Sequence, residues 1–247
     1  MRYFIELSYN GKAYHGWQVQ PNAITVQEVL ESALSTLLKD KISVVGAGRT
    51  DAGVHAHQMY AHFDADLNIA LTDLVHKLNA FLPKDIGIYN IYEMKDEAHA
   101  RFDAVSRSYI YKISMAKDVF NYDYTYHFKL PLAIDKMNEA CKILFDYTNF
   151  KCFSRSNTDV KTYNCKMMYA EWKKDNDTLI FSIKADRFLR NMVRAIVGTM
   201  IDIGLGKTSL AQFHEIIKSG DRTQAGASVP GHALYLSKIE YPKSLFK

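Results

Sequence analysis

In the stretch GRTDAGVHAHQ, Gly48 to Gln58, an arginine and an aspartate stand two residues apart between glycines, directly after an apolar segment. An aspartate in a glycine-bearing turn ordinarily bonds its own backbone. Three features favour chemistry over that reading. Arg49 lies beside Asp51, the glycines permit close approach of a ligand to the backbone, and Thr50, His55 and His57 supply further polar groups. Loops at the ends of rigid strands are where reactive groups are presented. Asp51 is therefore the leading candidate for nucleophilic or general-base work. His55, His57 and His62 raise a metal reading, because an HxH pair can hold zinc. No cysteine or carboxylate other than Asp51 completes such a set, so histidines satisfied within loop and strand are the favoured account.

A second group lies in DRFLRNMVRAIVG, where Arg187, Arg190 and Arg194 interrupt Phe188, Leu189, Met192, Val193, Ile196 and Val197. The periodicity predicts one helix from about Phe188 to Ile203, with Arg190 and Arg194 one turn apart on one side. Interleaved arginines normally form a solvated face. Arg194, set between Val193 and Ile196, instead reads as partly buried beside a carboxylate, for which Asp51 is a candidate. In VSRSYIYKISM the alternation places Arg107, Tyr109, Tyr111 and Ile113 on one strand face. Most strand tyrosines pack, but this face could also stack a base.

The elements that would position these residues follow from patterning. RYFIELSY alternates as a half-buried strand with Tyr3, Ile5, Leu7 and Tyr9 on one face. A capping box in TVQE opens a helix at Thr25. KISVVGA reads as a buried strand running into the motif, and QMYAHFDA as another strand. Thr72 caps a second helix that Pro83 stops. A similar order returns after a boundary near Ala104. A strand around Tyr109, a helix near Ile134–Phe145, strands at 166–172 and 179–185, the arginine helix, a capped helix in SLAQFHEIIKSG and a closing strand ALYLSKIEY complete it. The expectation is α+β: two halves, 1–104 and 105–247, with mixed, mainly antiparallel sheets covered on one face by helices.

Length and composition bound the function. At 247 residues, with 48% apolar and 23% charged, the chain can bury a sizeable core and is neither fibrous nor disordered in composition. No apolar run reaches the ~18 residues that cross a bilayer, and the first residues read as a strand and not as an export signal. Three cysteines, Cys141, Cys152 and Cys165, form no CxxC pair and suit free thiols in a reducing cytoplasm. Lys and Arg exceed Asp and Glu by 31 to 27, and sixteen tyrosines and thirteen phenylalanines accompany them. Cations with stacking rings fit a polyanion that carries bases.

Five ordered blocks carry a resemblance. GKAYHGWQVQPN with TVQEVLE, GRTDAGVHA, LNAFLPKDI, HARFDAVSRSYIY and RFLRNMVRAIVGTM together resemble the tRNA pseudouridine synthase A family, over nearly the whole chain. The resemblance implies ferredoxin-like-related halves joined across a central cleft. It implies conversion of uridine to pseudouridine at positions 38, 39 and 40 of the tRNA anticodon stem-loop, by a cytoplasmic homodimer that uses no metal and no cofactor. It makes Asp51 the catalytic aspartate, Arg49 its neighbour in base displacement, Tyr109 the ring stacking on the target base, Arg194 the partner of the aspartate and Leu234 part of the pocket lining. Arg101, Arg107, Arg187 and Arg190 would then meet backbone phosphates. Ala98, Asn164 and the His232–Ala233 pair depart from the family pattern. The alternative from another class is a non-catalytic RNA-binding or RNA-folding protein that retains the cleft.

Overall fold

The computed structural model describes residues 1–155 and 160–247, which fall into two compact units: Met1–Ser106 with Tyr235–Lys247, and Arg107–Leu234. The chain therefore does not divide once near Ala104. Its closing residues, expected in the second half, belong to the first. The reason is strand pairing. The last strand, β9 (Leu234–Glu240), lies parallel to β3 (His55–Asp64), with Tyr235 opposite His55 and Leu236 opposite Ala56.

In the first unit β1 (Arg2–Tyr9) is central, antiparallel to β3 on one side and to β4 (Ile86–Met94) on the other. Tyr3, Ile5, Leu7 and Tyr9 are buried as their alternation predicts, and Phe4 on the opposite face is buried as well. The side chain of Tyr241 covers that second face, its ring meeting Phe4 edge-on at 5.2 Å. Helix α1 (Val26–Leu38) starts where Thr25 accepts the Glu28 N–H, and packs through Val26, Leu30, Ala33 and Leu34. Helix α2 (Leu71–Phe81) begins one residue before Thr72, with Ala70 at its N-cap and no side-chain cap. The expected buried strand at KISVVGA shrinks to β2 (Val45–Gly46), a two-residue pairing on β3 in which Val45 is 43% exposed. Apolar composition there reflects anchoring by Ile42 and Val44, both buried, and not a full strand.

The second unit carries β5 (Ser106–Ser114), whose residues from Arg107 on pair antiparallel with β8 (Thr178–Ala185), which pairs in turn with β7 (Met167–Asp175). A short parallel strand, β6 (Tyr126–His127), flanks β5. Helix α3 (Ile134–Ile143) precedes β7, and α5 (Leu210–Ser219) carries the Ser209–Gln212 capping box and a left-handed Gly220 cap. Helix α4 (Met192–Gly204) is buried almost all round, as a helix apolar on every side must be. Both units are thus α+β with mainly antiparallel pairing. The three cysteines are free and buried, and burial pushes each thiol up to about 12. Among the described residues no helix is long and apolar enough to cross a membrane.

His62 on β3 is a buried polar group with a definite task. Its Nδ1 accepts the Ala100 N–H at 3.1 Å, which requires the neutral ring. Burial, with Arg2 and His99 adding repulsion against the opposing pull of Asp64 and Asp103, lowers its pKa from 6.5 to about 4. Between those values the unfolded chain binds a proton that the folded chain does not, so stability is lost as pH falls through that window. Thermal melting at pH 7 and at pH 5 should therefore show a larger drop for the wild type than for His62→Asn, whose Oδ1 stands where Nδ1 did and can accept the bond. Equal drops would remove His62 from the acid sensitivity.

Candidate active site

The turn carrying Asp51 is held from both sides by residues far away in sequence. Ala47 N–H bonds the Tyr60 carbonyl at 2.8 Å as the chain leaves β2. Thr50 then turns inward. Its hydroxyl meets the Tyr9 hydroxyl at 2.9 Å in a buried contact, and its carbonyl accepts the Trp17 N–H at 3.2 Å. Asp51 closes a four-residue turn by accepting the Val54 N–H at 3.2 Å, with Gly53 at φ 75° in the third position, where such turns take glycine because other residues resist positive φ. Gly53 N–H bonds the Tyr14 carbonyl at 3.3 Å, and just beyond, His55 Nδ1 accepts the Gly11 N–H at 3.0 Å.

The loop between β1 and α1 is therefore a clamp on this turn. Gly16, at φ 93°, lies so close to the turn that a Cβ there would sit 2.3 Å from the Thr50 carbonyl oxygen. With Thr50 facing inward, Arg49 is exposed and Asp51 half-buried. A Cβ at Gly48 would meet nothing within 4 Å, so the approach to the motif is open on that side. His55 is buried and stacked on Tyr235 at 4.8 Å, and the exposed His57 tilts against the same ring at 4.9 Å. Among the described residues no three His, Cys, Asp or Glu side chains are grouped so as to hold a metal ion. Arg101 is exposed on the same unit.

The second unit brings together Arg107, Tyr109 and Arg187 at one end of β5 and β8. Arg107 opposes Ala185 in the strand register and donates from its guanidinium to the Asp186 carbonyl at 2.9 Å, so part of its hydrogen-bonding capacity serves the fold. Tyr109 is half-buried, with the Phe188 ring edge-on to it at 5.1 Å. Tyr111, on the same strand face, is core. It is fully buried and donates to the Pro230 carbonyl at 3.0 Å, and desolvation raises its pKa.

The arginine helix begins later than its periodicity predicts. Asn191 adopts φ 68° and α4 starts at Met192, so Arg187 and Arg190 occupy the β8–α4 turn and do not share a helical face with Arg194. The Asp186 carboxylate accepting the Arg187 and Lys166 N–H groups sets that turn. Arg190 is exposed. Arg194 is half-buried in the first turn of α4, its Nε donating to the Val229 carbonyl at 2.7 Å while Val229 N–H returns to the Arg194 carbonyl at 3.3 Å. Leu234 is buried.

A family model described as tRNA pseudouridine synthase matches residues 7–103 and 140–242. The chain belongs to the tRNA pseudouridine synthase family. The tRNA pseudouridine synthase A of Parabacteroides distasonis is 53% identical over 246 residues, covering 99% of this chain and 98% of its own. That of Bacteroides fragilis is 52% identical over 248 residues, with 100% and 98% covered. The more distant Bacillus subtilis protein of the same name is 40% identical over 245 residues, with 98% and 99% covered. The family is one of isomerases, and the enzyme's two α+β units carry its sequence blocks in order.

What sequence reasoning missed is Tyr9. It reads as one more alternating strand residue, and its partner lies 41 positions away. The clamp makes a stability statement. Gly16→Ala combines a left-handed backbone with a Cβ in the Thr50 carbonyl, and should lower unfolding free energy in urea by about 1 kcal/mol or more. An unchanged urea midpoint would mean that the loop gives way without cost and does not fix the turn.

Proposed function

We propose that this chain isomerises uridine to pseudouridine at positions 38, 39 and 40 of the tRNA anticodon stem-loop, with Asp51 as the catalytic carboxylate. The observation that carries the reading is the clamped turn: a half-buried aspartate on backbone that hydrogen bonds tie to the β1–α1 loop, beside an exposed arginine. A carboxylate fixed in advance loses little freedom when substrate arrives.

The reaction breaks the bond from sugar C1′ to uracil N1, turns the ring, and joins C1′ to C5. The hydrogen on C5 leaves as a proton and N1 gains one, so atoms and electrons balance without an external reactant. Two routes use one carboxylate: attack on C1′ to give a covalent sugar ester, or removal of the 2′ proton to give a glycal. In either, a uridine within a stacked stem must first be extruded, at a cost of a few kcal/mol, roughly. Arg49 is assigned to the vacated space and its phosphates, Tyr109 to the extruded ring, Arg194 to the carboxylate as countercharge and Leu234 to the pocket wall. Exposed Arg101 and Arg190, with Arg107 and Arg187, are assigned to backbone phosphates. The working form is a homodimer on one tRNA.

Tritium release from tRNA labelled at uracil C5 tests the central claim. Asp51→Asn should fold and bind tRNA yet release tritium about 10⁴-fold more slowly or worse, the scale on which loss of a covalent or basic catalytic group is felt. Release at the wild-type rate would remove Asp51 from the chemistry, and tight binding by a wild type that releases nothing would favour the RNA-binding alternative. For the phosphate contacts, Arg190→Gln should reduce the slope of log affinity against log salt by about 1. A slope that does not move would strike Arg190 from the list of contacts.

A further inference from the structure

The segment Ala98–Asp103 presents an exposed aromatic ring on an unusually constrained backbone. Phe102 is 74% exposed. Lone exposed rings are common and need no explanation when the chain beneath them is loose. Here every amide N–H from Ala98 to Asp103 has an acceptor within the unit. Ala98 bonds the Lys95 carbonyl, His99 the Asp103 carboxylate, Ala100 His62 Nδ1, Arg101 and Phe102 both His99 Nδ1, and Asp103 the His99 carbonyl. Two carbonyls are fixed as well, Ala98 by Arg2 and Ala100 by the Tyr241 hydroxyl.

The rings form a column running from core to surface. Fully buried Phe4 is stacked with His62 at 6.1 Å, His62 meets His99 edge-on at 4.6 Å, and His99 and Phe102 lie tilted against each other at 4.2 Å. The column ends in a ring open to solvent. Beside it the Arg101 guanidinium carbon lies 5.8 Å from the Phe102 centroid. A flat hydrophobic face and a cation side by side match a base and its phosphate, the two features every nucleotide offers whatever its sequence.

We propose that His99–Phe102 is a second RNA contact of this enzyme, in which an unpaired or terminal base continues the column on the Phe102 ring while Arg101 meets the adjoining phosphate. The inference rests on the tRNA reading above. Among occupants it favours RNA over a second copy of the chain, because a cation next to a ring complements a polyanion carrying bases. A rigid platform suits this task, since the ordering that stacking requires is already present in the free protein.

The test measures binding of an unmodified tRNA transcript to Asp51→Asn protein, which prevents turnover, alone and combined with Phe102→Ala, Phe102→Trp or Arg101→Gln. Sedimentation of each protein gives its oligomeric state. Loss of one base stack should weaken binding by about 5- to 100-fold in Phe102→Ala, with Phe102→Trp restoring it. Arg101→Gln should reduce the salt slope by about 1. Melting temperatures should hold, since the ring is exposed. Unchanged affinity in Phe102→Ala, or weakened binding accompanied by dissociation into protomers, would overturn the inference and, in the second case, assign the ring to a contact between copies. Failure of the Asp51→Asn parent itself to bind tRNA is a separate result, which would strike the substrate assignment.

Discussion

The contact between the Tyr9 and Thr50 hydroxyls, 2.9 Å apart and buried, joins the end of the central strand β1 to the motif turn. Around it the β1–α1 loop places the Gly11, Trp17 and Gly53 amides and the Tyr14 carbonyl in bonds that cross between loop and turn. Buried hydroxyls and amides are costly when unpaired, so the turn cannot drift without exposing several at once. This cooperative constraint is what converts an aspartate on a loop, by default a mobile group, into a fixed one. It also explains why the first unit keeps the C-terminal strand. β9 pairs with β3 at His55 and Ala56, immediately after the turn, and Gln58 accepts the Ile239 N–H at 3.0 Å, so the chain's last residues brace the segment that follows Asp51.

The second unit solves a similar problem with a helix. Arg194 projects from a helix otherwise buried almost all round, and the segment 225–229 lies along it. Gly226 N–H bonds the Thr199 hydroxyl, Arg222 holds the Ala225 and Gly226 carbonyls and the Ser228 hydroxyl, and Asn191 bonds Ser228 from the helix start. Arg194 Nε is aimed by the Val229 carbonyl. That bond fixes the direction of the guanidinium. An arginine so directed presents its fork at small entropic cost, which is the advantage of a preorganised planar group over a lysine.

Much of this was legible in the sequence where a single period dominates. The alternation in β1, the Thr25 N-cap of α1, the Ser209–Gln212 capping box of α5 and the α+β order all follow from local patterns that the tertiary structure leaves intact. The errors fall where a local pattern meets a backbone feature it does not encode. The apolar period over Phe188–Ile203 is unbroken, yet left-handed Asn191 delays the helix to Met192, because the Asp186 carboxylate, directly after β8, had already fixed the turn. KISVVGA is apolar because Ile42 and Val44 anchor a connection, not because it is a strand. The partnership of β9 with β3 spans 180 residues and leaves no local trace. For the site, Asp51 and Arg49 were visible as residue types in a turn, while Tyr9 and the Phe102 platform were not, since each depends on contacts that only folding creates.

Recognition of a large polyanion by a chain with a formal charge of only +4 requires that cations be placed and not merely numerous. Three exposed arginines stand where neighbouring structure fixes the backbone: Arg49 beside the clamped turn, Arg101 on the constrained segment above His62, and Arg190, whose carbonyl accepts the Arg155 N–H at 3.0 Å. Charge supplies attraction at a distance and is screened by salt. Rings and fixed donors act only on contact. A protein with little net charge, and with arginines and aromatics on constrained backbone, therefore relies less on nonspecific attraction and more on contacts that depend on shape. Neutral His62 belongs to this logic as much as the arginines do, because a protonated ring there could no longer accept the Ala100 amide that holds the platform in place.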